Sequence, residues 1–109
     1  MKHLDENMAL MFGINEAIIA QFLWDSINEG DKKEMIFNYN DDEWIKCSML
    51  LMTGYMPFLS LSMIKKAIKN LVEGKVLRKG CFNENRFDNT NWYSFTKYGK
   101  YLMGGYKSD

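Results

Sequence analysis

The stretch SMLLMTGYMPFLSLSMIKKAIKNLVEG, Ser48 to Gly74, holds two helix patterns separated only by Tyr55 to Leu59. Ser48 is placed to cap a short helix over Met49 to Tyr55, because a serine oxygen accepts one of the unpaired N–H groups of a first turn. Pro57, which has no N–H to donate, keeps that helix from running on. Ser60 caps the second helix. Leu59 and Ile64 stand at staple positions, and Ile64, Ala67, Ile68 and Leu71 recur at helical steps. Gly74 supplies the stop, so the spacing predicts a helix over Leu61 to Glu73. A short helix followed at once by a longer amphipathic one is the pattern of a helix-turn-helix, whose second helix offers its outer face to a partner.

Outward from this pair, Leu4, Met8, Met11 and Phe12 recur at helical spacing before Gly13 and predict a short first helix. Asn15 offers an N-cap, with Ile14 and Ile19 as its staple. Ile18, Ile19, Phe22, Leu23 and Ile27 form the apolar stripe of a helix from Glu16 to about Asn28. After the charged connection Glu29 to Lys33, the segments Met35 to Tyr39 and Glu43 to Cys47 are rich in β-formers around the turn-like Asn40, Asp41 and Asp42, which requires at least one strand. Beyond Gly74, Val76 to Lys79 and Trp92 to Phe95 read as strands of a long hairpin joined by the polar stretch Asn83 to Asn91. A last helix, Lys97 to Met103, is capped by Thr96 and ends at Gly104 and Gly105. This order predicts an α+β, mainly α fold: a winged helix-turn-helix with a small antiparallel sheet and a wing hairpin. The whole chain, 1–109, reads as one domain, with an N-terminal helix in 1–13, the core in 14–103 and a tail in 104–109.

Composition narrows the function classes. With 109 residues and 47% hydrophobic residues, the chain is long enough for one core without disulfides or metal. Cys47 and Cys81 belong to no close cysteine pair and His3 is the sole histidine, so plain thiols are expected rather than a zinc site or a disulfide. Apolar runs such as Met49 to Met52 fall far short of the roughly 20 residues of a membrane span. No basic-then-apolar leader precedes the first helical pattern, so the cytoplasm is the expected compartment. No glycine-rich loop of phosphate-binding spacing occurs, and Asp41, Asp42 and Glu43 form an acid run without a matching base. Neither an enzyme nor a cofactor or metal is expected.

Net charge is zero, yet residues 1 to 59 carry four Lys against ten Asp and Glu, a net of −6, and residues 60 to 109 carry ten Lys and Arg against four acids, a net of +6. Between Ser60 and Gly80 stand Lys65, Lys66, Lys69, Lys75, Arg78 and Lys79 against the single acid Glu73. On a helix-turn-helix that strip suits phosphate contacts. Ser60, Ser62 and Asn70 add donors and acceptors for DNA, although no arginine lies on the second helix to make the commonest guanine contact. Arg86, near the middle of the wing, suits a minor groove or a phosphate. Trp44, Phe58, Phe82, Phe87, Trp92 and Tyr93 are expected mostly in the core rather than stacked on bases. Most methionines are expected there too, with Met49, Met52, Met56 and Met63 available for an adaptable protein-binding surface.

Several runs together resemble the winged-helix N-terminal domains of phage replication initiator proteins and the related DnaD-like primosomal proteins of Gram-positive bacteria. They are Gly13 to Ile19, Trp44 before Ser48, Met56-Pro57-Phe58-Leu59-Ser60, the apolar positions Ile64 to Leu71, Gly80-Cys81-Phe82-Asn83, Phe87-Asp88-Asn89-Thr90, Trp92-Tyr93, and Thr96 with Gly99. The resemblance covers about residues 8 to 100. Met63 stands where that family often has a threonine, and Met49 to Met52 are more apolar than usual there. The resemblance implies a double-stranded DNA-binding protein of phage or mobile-element origin, acting in replication initiation or as a small regulator. The other function class is a protein-interaction module that keeps the fold but docks a replication or host protein through its Met-rich turn or acidic half. A homodimer is compatible with both.

Overall fold

Gly13, at φ 115°, is the only residue between two helices, α1 (Glu6–Phe12) and α2 (Ile14–Glu29), of the computed structural model, which describes residues 6–104. Its N–H donates to Ala9 O at 2.9 Å and its carbonyl accepts from Ala17 N at 3.0 Å. The two helices therefore share one residue, a junction that φ > 0 opens to glycine. No room is left for a separate cap. Asn15 lies inside the first turn of α2 instead of capping it, and Ile14, its expected staple residue, is 62% exposed. Leu4 and His3 lie outside the described residues.

Gly30, at φ 77°, ends α2, and a 3-10 turn, Lys33–Met35, keeps Met35 out of the strand predicted there. Strands β1 (Ile36–Tyr39) and β2 (Asp42–Lys46) follow as a hairpin. Its two central residues, Asn40 (φ 52°) and Asp41 (φ 65°), are both left-handed. Such a turn matches the right-handed twist of its strands.

The helix-turn-helix forms as its caps require. In α3 (Met49–Tyr55) the Leu51 N–H donates to Ser48 Oγ at 3.0 Å, and in α4 (Leu61–Glu73) the Met63 N–H donates to Ser60 Oγ at 3.2 Å. Leu59 and Ile64 are both buried. At the end of α4 the Val76 N–H reaches Leu71 O (2.9 Å) and the Lys75 N–H reaches Val72 O (3.1 Å), a Schellman pattern. Its left-handed residue is Lys75 (φ 65°), not Gly74. Gly74 is needed for space, since a Cβ there would lie 2.3 Å from the Phe12 ring. This turn delays the next strand by one residue, so β3 is Leu77–Gly80; β4 (Trp92–Phe95) and α5 (Lys97–Met103), capped by Thr96, complete the chain.

The sheet is antiparallel in the order β1-β2-β4-β3. Strand β2 enters before the helix pair and β3–β4 returns after it as a hairpin, which is the winged-helix arrangement with β1 added at one edge. Ile19, Leu23, Ile45, Ile64, Ile68, Leu71 and Tyr93 meet in the core between helices and sheet. Met52 and Met56 are buried there too and offer nothing to a partner, whereas Met49 is half-buried and Met63 exposed.

The aromatic residues divide differently from expectation. Trp44 and Trp92 are buried, but against Phe82 on the outer face of the sheet, away from the helices. Phe87, expected inside, is 77% exposed because the wing carries it past the last paired residues, Gly80 and Trp92. Phe58 is 61% exposed.

Because β2 lies beside β4, the acidic and basic halves of the chain interleave. Asp42 pairs with Arg78 at 2.9 Å and Lys100 at 3.7 Å, and Lys46 pairs with Asp88 at 2.8 Å.

Candidate nucleic-acid interface

Helix α4 buries Ile64, Ala67, Ile68 and Leu71 and leaves Ser62, Met63, Lys65, Lys66 and Lys69 exposed on its other side. The helical repeat alone produces this division, since residues three and four apart share a face. Lys75 is exposed in the turn that follows, and Lys79 is exposed on β3. Lys79 comes from a different element but lines the same cleft as Lys65 and Lys69.

Among the described residues, none of Lys65, Lys66, Lys69, Lys75 and Lys79 takes part in an ion pair or a side-chain hydrogen bond, whereas Lys32, Lys46, Arg78 and Lys100 all have carboxylate partners. A cation already paired has little attraction left for a phosphate. Five cations that are free among the described residues are therefore gathered on α4, the turn after it and β3.

The structure separates other expected site residues from this group. Arg78 neighbours Lys79 in sequence, but strand alternation sends it to the opposite face of the sheet. There its guanidinium donates to Asp42 and to Ser94 Oγ (3.2 Å) and lies 5.0 Å from the Trp44 ring centre. The same guanidinium holds the Asp42 carboxyl below the usual carboxylate range. Asn70 donates to Glu16 Oε2 at 2.7 Å, which ties α4 to the start of α2 and turns the amide away from the outer face. Ser60 is engaged as the cap and lies 3.2 Å from Ser62 Oγ.

Arg86 sits on the wing with its guanidinium 5.0 Å from the Phe87 ring. The wing is tied down at its base. The Asn83 amide donates to Asp88 O (2.7 Å) and Thr90 O (2.9 Å) and its oxygen accepts from Trp92 Nε1 (2.7 Å). Asp88 binds Lys46, and this bond, with those from Thr90, holds its carboxyl well below the usual range. Arg86 is thus displayed from an ordered loop while Asp88 is occupied elsewhere.

One surface is built from other residues than the methionines expected for it, and a second escaped the sequence reading. Leu50 (70% exposed), Leu51, Tyr55, Phe58, Leu61 and Met63 give the outside of the helix-turn-helix an apolar character. The signal for it was Met49 to Met52, four apolar residues in succession on a short helix that can bury only one side. On the open face of the sheet, Phe37 stacks on Trp92 (5.0 Å) and Tyr39 on Phe82 (4.1 Å). The alternation of Phe37 and Tyr39 carried that signal, but Phe82 and Trp92 reach them only through the fold. Cys47 and Cys81 are free thiols, and burial pushes Cys47 up to about 11.

The chain matches no protein-family model, no curated protein and no solved structure.

Proposed function

We propose that the protein binds double-stranded DNA through the outer face of α4, with Lys75 and Lys79 beside it and Arg86 on the wing reaching a second point of the duplex. The carrying observation is the concentration of five lysines, unpaired among the described residues, on the second helix of a helix-turn-helix, the turn after it and the strand that follows. The contacts are mainly to phosphate: Asn70 is committed to Glu16, α4 carries no arginine, and only Ser62, Lys66 and Met63 remain to face base edges. Binding is accordingly salt-dependent with modest sequence preference, a property suited to a replication-initiation protein or a small regulator. The test is a titration of a mixed-sequence duplex at several salt concentrations. Absence of binding at about 50 mM salt, where a few phosphate contacts already suffice, would refute the reading.

The apolar surface of α3 and the turn supports a second reading, in which the domain docks a protein. Leu50 and Phe58 are more exposed than a surface meant only for water requires, and Phe58 lines a cleft with Asp25, Glu29 and Asp31 rather than with the lysines of α4. Under that reading Leu50→Ser with Phe58→Ser abolishes partner capture and leaves DNA affinity unchanged.

A further inference from the structure

The lysines of α4 and β3 do more than form a flat basic strip. Lys65 and Lys69 on α4 and Lys79 on β3 rim a cleft of about 280 Å³ whose remaining walls include Met49, Ile68 and Val72. Contact with a DNA phosphate requires a cationic surface and no apolar hollow. Here three ammonium groups surround a greasy floor, with Glu73 as the single acid, a net of +2 on the cleft. None of the three lysines is satisfied by a carboxylate among the described residues.

We infer that this cleft binds a small amphipathic organic anion, a carboxylate or phosphate carried on a short apolar body. The body lies on Met49, Ile68 and Val72 and the anionic head lies among Lys65, Lys69 and Lys79. The size limits the ligand, because the volume lies just below the roughly 300 Å³ at which clefts for drug-sized molecules begin. Both parts of the ligand are required by the chemistry of the walls. A bare anion leaves the apolar floor wet, and a neutral apolar molecule leaves three cations around it unpaired. One consequence rests on the DNA reading: an occupied cleft neutralises lysines that would otherwise meet phosphate, so the ligand competes with the duplex.

The test uses the full chain with its methionine methyl groups followed by NMR, and three probes: octanoate below its micelle concentration, octanol, and inorganic phosphate. Octanoate is expected to shift the Met49 methyl saturably while Met11 and Met63, exposed outside the cleft, stay in place. Octanol and phosphate are each expected to bind at least tenfold more weakly. Lys79→Gln is expected to weaken octanoate at least tenfold and Glu73→Gln to tighten it, with the buried Met8 and Met52 methyls reporting that both variants are folded. Equal binding of octanol would reduce the cleft to apolar exposure, and equal binding of phosphate would reduce it to a charge patch; either overturns the proposal, as does the absence of a saturable Met49 shift. Duplex affinity of Lys66→Ala, which changes the strip outside the cleft, is measured in parallel. If it matches wild type while octanoate binds as expected, the DNA reading falls and the anion site stands.

Discussion

Replacing Lys65, Lys66 and Lys69 together by alanine tests whether the free cations of α4 are the ones that meet DNA. Five lysines, unpaired among the described residues, lie on α4, the turn after it and β3. With Arg86 of the wing they make six contacts, which give log K against log salt a slope of about −5.4, so wild-type affinity falls about 1,800-fold between roughly 50 and 200 mM salt. The triple variant keeps Lys75, Lys79 and Arg86, and three contacts correspond to a slope of about −2.7 and a loss of only about 40-fold over the same range. Fluorescence anisotropy with a labelled mixed-sequence duplex measures both slopes. The fold should persist in the variant, since all three side chains are exposed. Arg78→Ala is the internal control, because its guanidinium already serves Asp42 and Ser94 on the other face of the sheet. A slope unchanged in the triple variant, or reduced as much by Arg78→Ala, would refute the assignment of the docking face.

Three further outcomes follow from the packing. Lys75→Gly relieves a left-handed backbone conformation and is expected to raise stability by up to about 1 kcal/mol, read as a higher Tm; an unchanged or lower Tm counts against strain at that turn. Ile68→Ala should cost about 2 to 5 kcal/mol in denaturant unfolding as a buried large-to-small change, whereas Tyr93→Phe, which keeps the buried ring, should change stability far less. Asp88 titrates below its ordinary 3.8 in the folded state because of Lys46 and Thr90. Its contribution is therefore present in full above that value and lost as pH falls through the depressed one. NMR of the Trp92 indole should show the wing base unchanged from neutral pH to about pH 4 and released only in stronger acid, and release nearer neutrality would contradict the Lys46–Asp88 pair.

The local elements were legible in the sequence because their causes are local. Ser48, Ser60 and Thr96 cap the helices expected of them, since a cap needs only a side-chain oxygen and the N–H groups two or three residues on. The 3.6-residue repeat of Ile64, Ala67, Ile68 and Leu71 likewise determined which side of α4 is buried and so which lysines are free to face outward. Asn15 was misread because the sequence does not reveal that Gly13 joins two helices by itself. Only the tertiary structure could decide the rest, since it depends on groups far apart in the chain. Arg78 left the site because β3 lies beside β4, and β4 beside the strand that carries Asp42. Asn70 left it because α4 crosses the start of α2 at Glu16. Lys79 joined Lys65 and Lys69 because the turn at Lys75 brings β3 back along α4. Charge could be counted from the sequence, but which charges neutralise one another is settled by distances of 3 to 4 Å between residues dozens of positions apart, and those exist only once the sheet has formed.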